Sequence, residues 1–221
     1  MRKIICGTII VLFAMACSNN KENGFSQEEK KVIGKVEDGI MRVLLVTDEK
    51  DSIFLHQKTL PLGKAELESE TFHILQERML ETVNDTTNPG VGIAAPQVGI
   101  NRQIIAVQRY DQIEGEDEEA PFHFYVNPVI EYYSEETVWS PEGCLSVPVI
   151  SALVKRSAEI VISYVDLDHY TRDGKIIVTD KELKRKTETI AGFTAMIFQH
   201  EIDHLHGILF PERETQPMPQ E

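Results

Sequence analysis

Apolar residues recur at helical spacing in two stretches of the chain. In residues 64–84, Leu67, Phe72, Leu75, Met79, Leu80 and Val83 repeat with that period, and Ser69 or Thr71 is available as a cap. The spacing predicts one long helix there. Asp85, Thr86, Thr87, Asn88, Pro89 and Gly90 follow as a turn or loop. In residues 188–206, Ala191, Ala195, Phe198, Ile202 and Leu205 form a second stripe, and Gly207 stands where a helix stop is expected. Between the two lie short runs rich in β-branched and aromatic residues, at 103–108, 123–127, 158–165 and 175–179. Strands bracketed by two helices predict an α+β domain with antiparallel or mixed sheets.

The amino terminus follows a different pattern. Arg2 and Lys3 precede an apolar run from residue 4 to 15, too short to serve comfortably as a permanent membrane span. Ala14, Met15, Ala16 and Cys17 come next, and then the polar Ser18, Asn19 and Asn20. This resembles a bacterial lipoprotein signal, in which Cys17 becomes the lipidated first residue. The expected organisation is a signal peptide over 1–16, a lipidated polar tether over 17–35, a catalytic domain over 36–215 and a tail over 216–221. The expected location is the cell envelope, periplasm-facing or at the surface, with membrane attachment through the lipid. An ordinary signal peptide or an uncleaved anchor are the alternatives, and a misread signal would leave the chain in the cytoplasm.

Composition narrows the function. The chain has 221 residues, 36 acidic against 22 basic, for a formal net charge of −14. Such a field repels phosphate backbones and argues against a nucleic-acid partner. Much of the excess sits in the run from residue 114 to 119, which reads as a solvated loop. Of three cysteines, Cys6 falls in the signal and Cys17 would carry lipid, so Cys144 alone is left. A lone thiol outside the cytoplasm is open to oxidation unless a metal bond protects it.

The chemistry-bearing residues lie in three segments. His200, Glu201, Ile202, Asp203 and His204 form an HExxH pattern. Residues four apart share a helix face, so both imidazoles can reach one metal ion, and Glu201 is placed to accept a proton from water. Glu142, Gly143, Cys144, Leu145 and Ser146 offer a thiolate as third ligand, and three protein ligands leave the open position that marks a catalytic metal site. Gly90, Val91, Gly92, Ile93, Ala94, Ala95, Pro96 and Gln97 combine a slim backbone with an amide. That segment suits pairing with an extended peptide and hydrogen bonding to an oxyanion, although a tight turn leading into a strand would look the same.

The three segments, in this order and at this spacing, resemble the three motifs of peptide deformylases, and the likeness runs from about residue 50 to 210. Asn127 and Pro128 ahead of the second motif, and Gln199 and Leu205 beside the third, extend it. The resemblance implies sheets packed around a central helix bearing the HExxH. It implies hydrolysis of the N-formyl group of formyl-methionyl peptides. It also implies one divalent metal ion, ferrous iron or else zinc, held by Cys144, His200 and His204. Glu201 would be the acid/base, and Gln97 with the backbone N–H of Leu145 would hold the oxyanion. Val91, Gly92 and Gly143 would pair with the peptide backbone, and Phe193, Met196 and Ile197 would line the methionine pocket.

The chain departs from the family in places. Ser151 stands where many relatives carry an arginine, residues 86–89 look inserted, and the 168–172 and 181–189 stretches are long. Two other readings stay open. A zinc endopeptidase could use the same HExxH, but it would need a further ligand after His206 and would leave Cys144 idle. A lipoprotein that binds formyl peptides without turning them over would keep the motifs incompletely.

Overall fold

The computed structural model describes residues 24–35, 39–113, 115 and 119–219. The signal segment, Cys17 and most of the acidic run (114 and 116–118) lie outside the described residues.

The helices are α1 (Gln27–Gly34), α2 (Glu49–Leu55), α3 (Lys64–Leu67), α4 (Glu70–Val83), α5 (Leu167–Tyr170) and α6 (Gly192–Leu205). The strands are β1 (Gly92–Ala94), β2 (Ile104–Gln108), β3 (Phe122–Val126), β4 (Val129–Tyr133), β5 (Thr137–Cys144), β6 (Val147–Ser157), β7 (Glu159–Val165), β8 (Thr171–Arg172), β9 (Lys175–Ile176), β10 (Arg185–Ala191) and β11 (Thr215–Pro217). They form three three-stranded sheets, ordered β1-β2-β3, β10-β7-β4 and β11-β6-β5, and the small β8-β9 ribbon. Every strand pair in these sheets is antiparallel. The molecule is therefore α+β, as the alternation of patterns predicts.

One apolar cluster joins α1 and α4 to β1 and β2 through Ile33, Phe72, Leu75, Met79, Ile93 and Ile104. A second joins α6 to β2, β3, β7 and β10 through Ala195, Phe198, Ile202 and Leu205 against Ile105, Tyr125, Ile160, Ile162 and Ile190. Four members of the stripe read from sequence are thus buried on α6, while Ala191 is exposed and belongs to β10. Burial of one such side chain is worth about 1.5–3 kcal/mol, so the second cluster fixes where α6 lies against the sheets.

Several boundaries differ from expectation. The 64–84 helix is two helices, because the Ser69 hydroxyl accepts from the Phe72 amide and starts α4 afresh. Residues 188–191 belong to β10, and the chain turns into α6 at Gly192, whose φ of 64° suits glycine. The β5–β6 hairpin, which carries the second motif, does not show in periodicity: its burial follows no simple alternation.

The described part of the presumed tether is folded. Ser26 and Glu29 make a capping box on α1, Phe25 and Ile33 are each 2% exposed in the core, and Glu29 meets Arg102 at 2.5 Å. Two apolar anchors eight residues apart hold this otherwise polar segment to the domain. At the other end, β11 pairs Thr215–Pro217 with Val154, Leu153 and Ala152, so the domain runs past the expected limit at 215.

Candidate metal centre and active site

Cys144 ends β5, and Leu145 and Ser146 make the turn into β6. A register irregularity between Glu142 and Cys144 interrupts the ladder just there. Such a bulge re-aims side chains, and here Glu142 is buried while Cys144 stays half-buried beside α6. On α6, His200 and His204 are one turn apart with ring centroids separated by 5.1 Å. The Cys144 sulfur is 3.3 Å from His204 Nε2, and the ligand atoms of Cys144, His200 and His204 all lie within 4.8 Å of one another.

Gln97 sits on the single 3₁₀ turn Ala95–Val98. Its Oε1 accepts from the Ala94 amide at 2.8 Å, which aims Nε2 at Cys144 Sγ (3.5 Å) and Ser146 Oγ (3.4 Å). Two backbone bonds from a nearby extended segment steady both pieces: Leu44 N to Gln97 O at 2.8 Å, and Val46 N to Ser146 O at 3.0 Å.

Beyond the donors lies a set of buried charges. His200 Nδ1 is 2.8 Å from Glu142 Oε2. Glu142 accepts from Arg156 Nε (2.7 Å) and Nη2 (2.9 Å). Arg156 Nη1 also reaches Asp203 Oδ2 at 2.6 Å, and Arg213 donates to both Asp203 oxygens. Burial pushes Glu142 up, but its bonds to Arg156 and His200 outweigh this and hold it below the ordinary carboxylate range. A carboxylate on Nδ1 fixes the ring and leaves Nε2 to face the sulfur.

Glu201 is 3% exposed, and its Oε2 has no hydrogen-bond partner. Burial raises its pKa; His200 opposes, Glu142 adds and Arg156 opposes, leaving it at about 7. Gly92 makes room for this carboxylate: a Cβ at that position would lie 2.5 Å from Glu201 Oε1. Burial pulls His200 down, yet its bonds to Cys144 and Glu142 lift it well above its ordinary value. Burial, then the charges of His200 and Arg156, push His204 well below. A thiol and two carboxylates thus draw positive charge onto one of the two imidazoles, His200, and His204 stays neutral beside it. One sulfur and two imidazoles suit a divalent transition metal better than calcium or magnesium, so the residues present fit such an ion.

These groups open on a cavity of about 500 Å³. Val91, Gly92, Gln97, Gly143, Cys144, Leu145, Phe193, Met196, Ile197, His200 and Glu201 line it, which brings together every residue assigned from sequence except His204, seated behind, and Cys17, outside the described residues. Met196 and Ile197 are each 4% exposed, while Phe193 is half exposed and meets Tyr110 edge-on at 5.2 Å. Ser151 lines the same cavity.

The sequence reading assigned no part to Glu142 as the partner of His200, to Asp203 and Arg213 behind it, or to Val149 and Ile150 at the mouth. A signal existed for the first two: buried carboxylates next to an HExxH helix need cationic partners.

The family model described as polypeptide deformylase matches residues 41–176 and 170–219. The chain belongs to the peptide deformylase family. That places it among the metallohydrolases. Among curated deformylases, the Thermus thermophilus peptide deformylase is 40% identical over 151 residues, 65% of this chain and 70% of that protein. Peptide deformylase 2 of Gloeobacter violaceus is 37% identical over 139 residues, 63% of this chain and 64% of its own length, so the alignment spans just under two thirds of that relative. Among solved deformylases, the class I type b enzyme of Acinetobacter baumannii bound to Met-Ala-Ser shares 31% identity, with a TM-score of 0.63 over 79% of this chain and 98% of that one. The Synechococcus elongatus deformylase in complex with actinonin shares 27% identity, with a TM-score of 0.60 and 81% of each chain covered.

Proposed function

We propose that this chain hydrolyses the N-formyl group of formyl-methionyl peptides, releasing formate, in the cell envelope. The observation that carries the reading is the convergence of the Cys144, His200 and His204 donors, with Glu201 beside them on the cavity wall. A divalent ion held by those three residues, ferrous iron in this reading or else zinc, supplies Lewis-acid activation of water and of the formyl carbonyl. In this reading α6 is the element around which the sheets are organised.

The remaining chemistry belongs to the chain. Glu201, poised at about 7, takes a proton from the water that attacks the formyl carbon. The formyl oxygen gains charge as the carbon becomes tetrahedral, and it accepts hydrogen bonds from Gln97 Nε2 and the Leu145 amide. One donor of this kind is worth on the order of 3 kcal/mol of barrier. Glu201 then returns its proton to the amide nitrogen as the C–N bond breaks. Formate and a free amino terminus are the products. Met196, Ile197 and Phe193 receive the methionine side chain, and the backbones of Val91, Gly92 and Gly143 pair with the peptide.

The Met-Ala-Ser complex of the Acinetobacter relative supports a peptide ligand of this class. The apolar 4–15 run and Cys17 support export and lipid anchoring. The direct test is formate release from formyl-Met peptides by anaerobically purified protein lacking residues 1–17. Glu201→Ala should abolish turnover while the metal content stays. Full activity in that variant would refute the role given to Glu201, and cleavage of internal peptide bonds without formate release would favour the endopeptidase reading.

A further inference from the structure

Arg213 lies eight residues beyond the end of α6, in a segment with no place in the chemistry above. The segment is nevertheless pinned on both sides. Before it, Phe210 is buried and stacks on the His200 ring at 6.1 Å, and Leu209 N donates to Glu212 Oε2 at 2.7 Å. After it, Lys155 N donates to Glu214 O at 3.0 Å, and β11 pairs with β6. The Arg213 guanidinium is thereby presented two-pronged to Asp203.

Asp203 Oδ2 is shared: it accepts from Arg213 Nε at 2.9 Å and from Arg156 Nη1 at 2.6 Å. Arg156 turns its other two nitrogens to Glu142, and Glu142 holds His200 Nδ1. The side chains of Arg156, Glu142 and Asp203 are only 4%, 6% and 7% exposed, whereas Arg213 is 38% exposed. Buried carboxylates take whatever cationic donors they can reach. Deprived of Arg213, Asp203 would draw harder on Arg156, the one group that also clamps Glu142.

We propose that Arg213 is a positioning residue for the metal centre, acting through Asp203, Arg156 and Glu142 to fix the orientation of the His200 ring. This rests on the reading of Cys144, His200 and His204 as metal ligands. It makes the carboxy-terminal segment part of the apparatus that sets metal affinity.

The test uses full-length protein loaded with cobalt(II). Affinity is read by competition with a chromophoric chelator, ligand geometry by the visible spectrum of the cobalt form, and folding by Tm. Arg213→Gln should weaken cobalt binding on the order of tenfold, the low end for removing an outer partner of a metal ligand, and should alter the spectrum. Arg213→Lys should fall between wild type and Arg213→Gln, since lysine restores the charge without the fork. If Arg213→Gln does not fold, Arg213→Lys carries the same comparison. Cobalt affinity and spectrum unchanged in the folded variants, even with a lowered Tm, would reduce Arg213 to a tie for the tail and overturn the proposal. A wild-type chain that takes up no cobalt would instead bring down the metal-site reading beneath it.

Discussion

Glu142, Arg156 and Asp203, behind the Cys144, His200 and His204 donors, are all nearly shut off from solvent, and their charged groups are tied to one another. At the cavity mouth, Val149 stands fully in solvent with a φ of 59°, Ile150 is half exposed, and Phe193 is half exposed with Tyr110 edge-on to its ring. A β-branched residue in the left-handed region is strained by roughly 1–2 kcal/mol. The two ends of one cavity therefore obey different rules. The floor tolerates no displacement, since every group there fixes the next. The mouth tolerates strain and exposure, since it need only offer apolar surface to whatever peptide arrives.

Three substitutions would break or sharpen this contrast. The largest effect belongs to the wall above the floor, where Glu201 is seated against Gly92. Gly92→Ala places a Cβ 2.5 Å from Glu201 Oε1 and 2.8 Å from Ile197 Cγ2, so the carboxylate must move. A displacement of this order should cost about a hundredfold in kcat. Steady-state kinetics on a formyl-Met peptide would check it, and an undiminished kcat would mean that Glu201 needs no fixed seat. Phe193→Ala removes a half-exposed wall of the cavity, proposed above to receive methionine, worth about 1 kcal/mol of contact, and should raise KM about fivefold with little change in kcat. A loss confined to kcat would place Phe193 with the floor. The smallest effect is Val149→Gly. Relief of the left-handed strain, partly offset by the backbone entropy of glycine, should raise Tm by a degree or two and leave kcat where it is. A lowered Tm in a calorimetric scan would show that the tip is held by contacts, not strained.

The same contrast explains what could be read from the chain alone. Stripes such as Ala195, Phe198, Ile202 and Leu205 repeat with the helix period, and a helix fixes which residues share a face, so His200 and His204 could be paired from spacing. Cys144 sits 56 residues before His200, and no spacing rule links them; it stands as third ligand because it is the one cysteine left to the mature chain, and the likeness to a known family strengthens the link. The β5–β6 hairpin escaped notice because a bulge and a solvent-facing tip erase alternation. The bonds from Arg156 to Glu142 and Asp203 escaped because side-chain pairing between distant elements leaves no period. Within the polar 17–35 segment, residues 24–35 misled by composition: lysines and glutamates outnumber the two anchors, Phe25 and Ile33, yet those two hold this stretch in the core.

The docking of α1 shortens the leash. Under the lipid-anchored reading, only residues 18–24 separate the acylated Cys17 from buried Phe25. Seven residues fully extended reach at most about 24 Å. A body so tied cannot roam the compartment; it would sweep a thin shell above the bilayer and meet those substrates that travel along or emerge from that surface.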